Sequence, residues 1–136
     1  MKKKYNSESI KFITLFESMT GAKVKDCLTN DKLMFIIEEN YMGLAVGKNG
    51  VNLRRIESLL KKRVKVVEFN KDRIQFIRNM IYPIEALGIT ELDDVITIKG
   101  KDANSRAILI GRERQNLHHL NSIVKRHYNI KEIKVE

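Results

Sequence analysis

Four residues in the first half of the chain, Gly47, Lys48, Asn49 and Gly50, constrain its fold more than any other segment. A short apolar run precedes them, and an amphipathic helical pattern over residues 51–62 follows them. Glycine at both ends lets the backbone adopt unusual angles and come close to another backbone. The free N–H groups and dipole at the start of a helix favour an anion by about 0.3–1 kcal/mol. The segment therefore predicts a loop that contacts the phosphates of a nucleic-acid strand.

The same pattern returns 64 residues later, where Gly111 takes the place of Gly47. Under this shift identical residues coincide at several further positions: Asn52 with Asn116, Leu53 with Leu117, Ser58 with Ser122, and Lys61 with Lys125. Chance agreement between two amphipathic helices is the alternative, but the loop, its flanks and the element order all stay in step. We therefore predict two units, residues 1–70 and 71–136, that pack side by side without a Gly/Ser/Pro-rich linker.

Each unit is predicted to have the order α-β-β-α-α-β, which places the chain in the α+β class. In the first unit, helices are expected over residues 7–18, 41–46 (capped by Asn40) and 51–62, and strands over 24–29, 33–37 and 64–69, with a turn at 30–31. In the second unit, helices are expected over residues 72–87 (kinked or broken by Pro83), 104–110 and 115–126, and strands over 89–92, 95–98 and 130–135.

The charge is strongly basic, with 26 Lys and Arg against 17 Asp and Glu, a net charge of +9 and a pI near 9.7. Such a field attracts nucleic acid, an anionic membrane surface or an acidic protein. An AT-rich genome is the alternative source of so much lysine. The placement favours a partner, because Arg54 and Arg55 follow the loop directly. The run 61–63 is also explained as a solvated helix end, where cations suit the dipole.

Several kinds of site are not expected. Cys27 is the single cysteine, so no internal disulfide forms, and it is predicted to be a small core residue. His118 and His119 are neighbours on a helix and point about 100° apart, which excludes a shared metal ion. Residues 43–49 are one residue too short for a P-loop. We expect no cofactor, no metal, no catalysis and no membrane span, and a cytoplasmic protein.

A G-x-x-G loop between two helices of an α-β-β-α-α-β unit resembles the KH family of single-stranded RNA binders, in its type II order. In that family the loop clamps about four nucleotides of backbone. The bases then lie in an apolar groove, which the resemblance implies is lined by Val46 and Val51; ordinary core packing is the alternative for both. The run 107–112, followed by 115–117, is similar to the second KH unit of the NusA family of transcription factors.

The resemblance covers nearly the whole chain and implies two tandem type II KH domains, each a three-stranded sheet covered by helices, as in archaeal NusA-related proteins. It implies the following RNA-binding residues: Gly47, Lys48, Asn49, Gly50, Val51, Arg54, Arg55, Gly111, Arg112, Arg114 and Gln115. It further implies action on nascent transcript in transcription termination or antitermination. RNA polymerase or the transcription complex is a candidate partner, although the extra domains of bacterial relatives do not fit within 136 residues.

Two other functions remain open alternatives: a ribosomal or ribosome-assembly KH protein that binds rRNA, and a basic protein-interaction module. The second loop departs from the family pattern, because Arg114 stands where glycine is expected and Glu113 adds a negative charge. Loss of that glycine is expected to restrict backbone approach. We therefore expect the first loop to be the tighter clamp and the second a weaker electrostatic contact.

Overall fold

The computed structural model describes residues 6–30 and 32–136, and the chain divides into two compact units, one ending at Asn70 and the other comprising Lys71–Glu136. The helices are α1 (Ser7–Thr20), α2 (Met42–Val46), α3 (Val51–Leu60), α4 (Arg73–Ile81), α5 (Ala103–Ile110) and α6 (Gln115–His127). The strands are β1 (Val24–Leu28), β2 (Leu33–Ile37), β3 (Val64–Glu68), β4 (Ala86–Leu92), β5 (Val95–Gly100) and β6 (Glu132–Val135). Both units follow the predicted element order.

Each unit contains one three-stranded sheet, in the order β1-β2-β3 or β4-β5-β6. The first two strands of each sheet are antiparallel, and the third runs parallel to the second. Antiparallel neighbours can be joined by a tight turn, whereas parallel strands need a longer crossover. Helices α2 and α3 provide that crossover in the first unit, and α5 and α6 in the second. The two loops therefore lie in the middle of equivalent crossovers.

Both helices that flank the first loop contribute side chains to the core of the first unit. The rings of Phe16 in α1 and Phe35 in β2 lie 4.3 Å apart between centroids, and both side chains are fully buried. Ala45 of α2 and Ile56 of α3 belong to the same buried cluster. Because one residue from each flanking helix is anchored in this core, the loop between them is held at two points.

Most predicted element boundaries lie one to three residues from those of the structure, and two predictions need a larger correction. Asn40 does not cap α2: the cap position is Tyr41, without a side-chain hydrogen bond, and Asn40 has a φ of 73° while its N–H donates to the Glu68 carboxylate. The predicted break at Pro83 is confirmed, but residues 86–87 belong to a strand and not to the predicted helix: α4 ends at Ile81, and β4 begins at Ala86. Pro83 lacks the N–H that a longer helix would require. Of the predicted turn at 30–31, Asp31 lies outside the described residues.

The aromatic pair at the centre of the first unit is expected to dominate its stability. Replacing Phe16 by Ala should lower the free energy of unfolding by about 3–5 kcal/mol, since a buried ring is lost and a cavity remains. Chemical denaturation followed by circular dichroism measures the change. Tyr82→Ala is the control, because Tyr82 is 75% exposed. Equal losses from the two variants would contradict this description of the core.

Candidate nucleic-acid interface

The first loop joins two helices within four residues. Gly47 has φ 77° and ψ 169°, and Asn49 and Gly50 have φ of 55° and 75°. The Gly50 N–H donates to the Gly47 carbonyl at 3.0 Å, which closes a 3-10 turn. Lys48 and Asn49 at the tip are exposed, and the glycines are half-buried. Helix α2 thus stops at Gly47, and the start of α3 lies next to an exposed, positively charged tip.

A side-chain amide holds this loop in place. Asn52 Nδ2, in the first turn of α3, donates to the Leu44 carbonyl of α2 at 2.8 Å. A Cβ atom at position 47 would lie 2.8 Å from Asn52 Cγ, closer than real Cβ contacts permit. Position 47 therefore requires glycine for two reasons: the backbone has a positive φ there, and the Asn52 amide occupies the space that a Cβ atom would need. We call this Asn-to-carbonyl hydrogen bond the amide latch.

The second loop repeats this geometry. Gly111 has φ 76° and ψ 171°, Glu113 has φ 55°, and Asn116 Nδ2 donates to the Ile108 carbonyl at 2.7 Å. A Cβ atom at position 111 would lie 2.6 Å from Asn116 Cγ. Arg114 adopts the left-handed conformation of Gly50, with φ 63°. The loss of glycine at this position therefore leaves the backbone path unchanged, and the two loops differ in their side chains.

The difference at positions 50 and 114 is accompanied by a difference one helical turn later. The guanidinium of Arg54 donates to the Asn49 carbonyl, and a Cβ atom at position 50 would approach Arg54 Nη1 to 3.2 Å. Under the 64-residue shift Arg54 coincides with His118, a shorter side chain. Glycine at position 50 thus leaves room for Arg54 to brace the first loop, whereas the second loop carries its arginine at 114.

Apolar side chains lie beside each loop. In the first unit Leu44 is 50% exposed and Val51 41% exposed, and Val46 is half-buried. Val51 is thus not a core residue, so the core-packing alternative given above is wrong for Val51. In the second unit Ile108 is 45% exposed, at the position equivalent to Leu44. Sequence alone does not indicate a binding role for Leu44 or Ile108, nor the loop-holding role of Asn52 and Asn116. The repeat nevertheless carries a signal for the two asparagines, because it aligns Asn52 with Asn116.

The structure gathers the predicted site residues into one cluster in each unit. The first cluster surrounds the junction of α2 and α3 and contains Gly47, Lys48, Asn49, Gly50, Val51, Arg54 and Arg55. The second surrounds the junction of α5 and α6 and contains Gly111, Arg112, Arg114 and Gln115. The charged members are exposed in both clusters. Arg54 differs from the others because it also contacts the loop itself.

Three further features of the described residues concern thiol reactivity, metal binding and membrane insertion. Cys27 is buried, and burial together with the charge of Asp26 raises the pKa of its thiol to about 12, so the reactive thiolate is scarce at neutral pH. The described ranges contain no group of three or more His, Cys, Asp or Glu side chains suited to a metal ion. Among the helices of residues 6–30 and 32–136, none has the length and apolar character needed to cross a membrane.

Comparison with known proteins identifies the family. The KH domain family model matches residues 13–136, a span that contains both loops. The chain belongs to the KH domain family. Proteins named "Probable transcription termination protein NusA" are relatives of this KH protein. The one from Methanococcus vannielii is 33% identical, over 99% of this chain and 80% of its own length. The one from Methanocaldococcus jannaschii is 34% identical, over 98% of this chain and 75% of its own.

A more distant relative of the same name, from Halococcus morrhuae, is 28% identical over 93% of this chain and 94% of its own length. Among solved structures, the crystal structure of APE1850 matches with a TM-score of 0.73, covering 97% of this chain and all of that chain. Its sequence is 19% identical, so this likeness concerns the fold.

The amide latch is expected to stabilise the first loop. Asn52→Ala removes the hydrogen bond to Leu44 and should lower the free energy of unfolding by about 1 kcal/mol. It should also increase hydrogen exchange at the Gly47 N–H, because the end of α2 loses its tie to α3. Exchange followed by NMR measures the local effect. Arg55→Ala, an exposed neighbour, is the control, and unchanged exchange in Asn52→Ala would show that the latch does not hold the loop.

The left-handed arginine of the second loop is expected to carry a conformational cost. Arg114→Gly should raise the free energy of unfolding by up to about 1 kcal/mol, because glycine adopts a positive φ without the steric penalty of a Cβ atom. Thermal and chemical denaturation measure the change. The reverse exchange, Gly50→Arg, should destabilise the first loop, where Arg54 occupies the adjacent space. A lower free energy of unfolding in Arg114→Gly, together with a higher one in Gly50→Arg, would refute the assignment of strain to position 114.

Proposed function

We propose that this protein binds single-stranded RNA through two tandem type II KH domains, residues 1–70 and 71–136, each contributing one loop. The observation that supports the proposal most is the duplicated loop. Two segments with different side chains, 47–50 and 111–114, take the same backbone path, and each lies at the start of a helix. A conformation preserved at both places indicates that the backbone itself is the functional part.

The first loop suits a sugar–phosphate backbone chemically. The exposed ammonium of Lys48 is a mobile point charge for a phosphate. The first-turn N–H groups of α3 add the positive end of the helix dipole. Leu44 and Val51 offer exposed apolar surface beside the loop, where the flat faces of bases can be covered. In this arrangement the loop holds the backbone and the apolar side chains receive the bases.

The second loop has the same backbone but a different charge pattern. Arg112 and Arg114 supply two cations, and Glu113 between them supplies a negative charge that opposes a phosphate. We propose that the second loop is the weaker contact, because of Glu113 and the bulk of the Arg114 side chain rather than any change of backbone. Tyr41 and Tyr128 are the only tyrosines near the loops in sequence, so little aromatic stacking of bases is expected.

The biological setting is proposed from the relatives. Their names assign them to transcription termination, and we propose that this KH protein likewise acts on nascent transcripts in the cytoplasm, in termination or antitermination. RNA polymerase or the transcription complex is the proposed second partner. We propose that this KH protein acts by binding, without catalysis and without a cofactor.

Charge reversal in the two loops tests the proposal. Lys48→Asp should weaken binding of a single-stranded RNA by about tenfold or more, because an attractive phosphate contact becomes repulsive. Arg112→Asp should weaken it less. Fluorescence anisotropy with labelled RNA measures both, and the wild-type plot of log K against log salt should have a slope of about −3 to −4 if roughly four to six phosphates are contacted.

Lys23→Asp, at an exposed position outside both loops, is the control for the change in net charge. An equal or larger loss from Arg112→Asp would reverse the ranking of the loops. Binding of duplex and single-stranded RNA with equal affinity, or of neither, would refute the proposal. Crosslinking in cells followed by RNA sequencing distinguishes nascent transcript from rRNA, which is the expectation for a ribosomal or ribosome-assembly KH protein.

A further inference from the structure

A second basic site lies in the first unit, at the far end of α3 from the loop. Helix α3 begins at Val51 beside the loop and ends at Leu60, and its ten residues span about 15 Å. Beyond that end lies a pocket of about 360 Å³ lined by Phe12, Thr29, Lys32, Leu33, Lys62 and Arg63. We call it the helix-end pocket. Arg63 and Lys62 also line an adjoining, more open depression together with Lys61 and Glu57.

Among the described residues that line the helix-end pocket, the charged side chains are all cations: Lys32, Lys62 and Arg63. Among the described residues, Lys32, Lys62 and Arg63 form no ion pair, and all three are exposed. The nearby carboxylate of Glu57 accepts the Val64 N–H at 2.9 Å and so helps to position β3. Lys65, in the adjacent strand β3, has its pKa lowered mainly by burial and also by the positive charge of Lys32, so these two cations repel one another beside the pocket. A bound anion would relieve that repulsion.

An aromatic ring forms one wall of the pocket. Lys62 Nζ lies 5.6 Å from the centroid of the half-buried Phe12 ring, which also packs against the core, and this distance is within the range of a cation–π contact. Phe12 therefore keeps an ammonium group close to an apolar surface. Cations beside a partly exposed ring match a nucleotide, in which a phosphate adjoins a flat base. An acidic peptide would use the cations but would have no comparable use for the ring.

Exposed cations also lie along α3 between the loop and the helix-end pocket. Arg55 lies in α3 between Lys48 at the loop and Lys61 at the helix end, and all three are exposed. A strand clamped at the loop by about four nucleotides does not need to extend along the whole helix. A longer strand could follow α3 and reach the pocket. The two sites would then be occupied by one RNA.

We propose that the helix-end pocket binds the sugar–phosphate backbone of the same single-stranded RNA, beyond the nucleotides held by the loop at 47–50. This inference rests on the proposed function. It adds a second contact in the first unit that the G-x-x-G motif does not indicate. It also assigns a binding role to the run 61–63, which sequence alone explains as a solvated helix end.

The test compares oligouridines of about four and about twelve nucleotides. The short RNA is long enough for the loop alone, whereas the long RNA can also reach the helix-end pocket. The double variant Lys62→Glu/Arg63→Glu should bind the short RNA as wild type does. It should bind the long RNA about tenfold more weakly, with a salt slope smaller by about 1.4, because two phosphate contacts are lost. Fluorescence anisotropy across a salt series measures both quantities. Lys32→Glu, on the other side of the pocket, should act in the same direction.

The matched control is Lys99→Glu/Lys134→Glu, which makes the same change in net charge at two exposed strand residues of the other unit. Circular dichroism checks that all variants fold. Wild-type affinity of the Lys62→Glu/Arg63→Glu protein for the long RNA would overturn the inference, as would an equal loss in the control. Loss of binding to polyglutamate with RNA binding intact would overturn it in favour of an acidic protein partner. Failure of the wild type to bind either RNA would instead refute the proposed function itself.

Discussion

In each unit one helix must end and another begin within four residues, and a single steric arrangement makes this possible. At Gly47 the chain takes a φ of 77°, and the space beside its Cα is filled by the side-chain amide of Asn52, which bonds back to the Leu44 carbonyl. Glycine and asparagine therefore depend on each other. Without the glycine the amide could not approach, and without the amide the end of α2 would lose its tie to α3. The exposed tip of the loop is a consequence of this arrangement.

The second unit shows which parts of that arrangement can vary. The glycine and asparagine are kept as Gly111 and Asn116, with nearly the same angles and hydrogen bond. The tip residues, by contrast, carry different charges. A similar exchange occurs lower in the helix, where Glu57 and Asn121 occupy equivalent positions and each accepts a backbone N–H of the following strand, from Val64 and Ile133. Backbone geometry is thus preserved while side-chain chemistry diverges.

The basic charge of the chain gains meaning from where the fold places it. Lys48 belongs to the loop, whereas Lys62 and Arg63 lie beyond the opposite end of α3. One helix therefore carries two separate cationic ends, in addition to the exposed Arg55 between them. Since exposed cations gain little from folding, their concentration along one element is better explained by binding than by stability.

The sequence by itself determined the class, the element order and the position of both loops. These follow from local signals: apolar periodicity, β-branched runs and glycines at positions that few other residues can occupy. It predicted β4 only over residues 89–92 and missed its start at Ala86, because residues 86–88 join the strand by pairing with β5 rather than by local preference.

Only the tertiary structure revealed the amide latch, the exposed Leu44 and Ile108, and the pocket that brings Phe12 and Lys32 next to Lys62. These features join residues that are separated in sequence, and which of them meet depends on how helices and strands pack. It also showed that Arg114 reproduces the backbone of Gly50, although propensity alone disfavours a non-glycine residue there. Local preference predicts where a chain turns, whereas packing decides what surrounds the turn and which side chains face a partner.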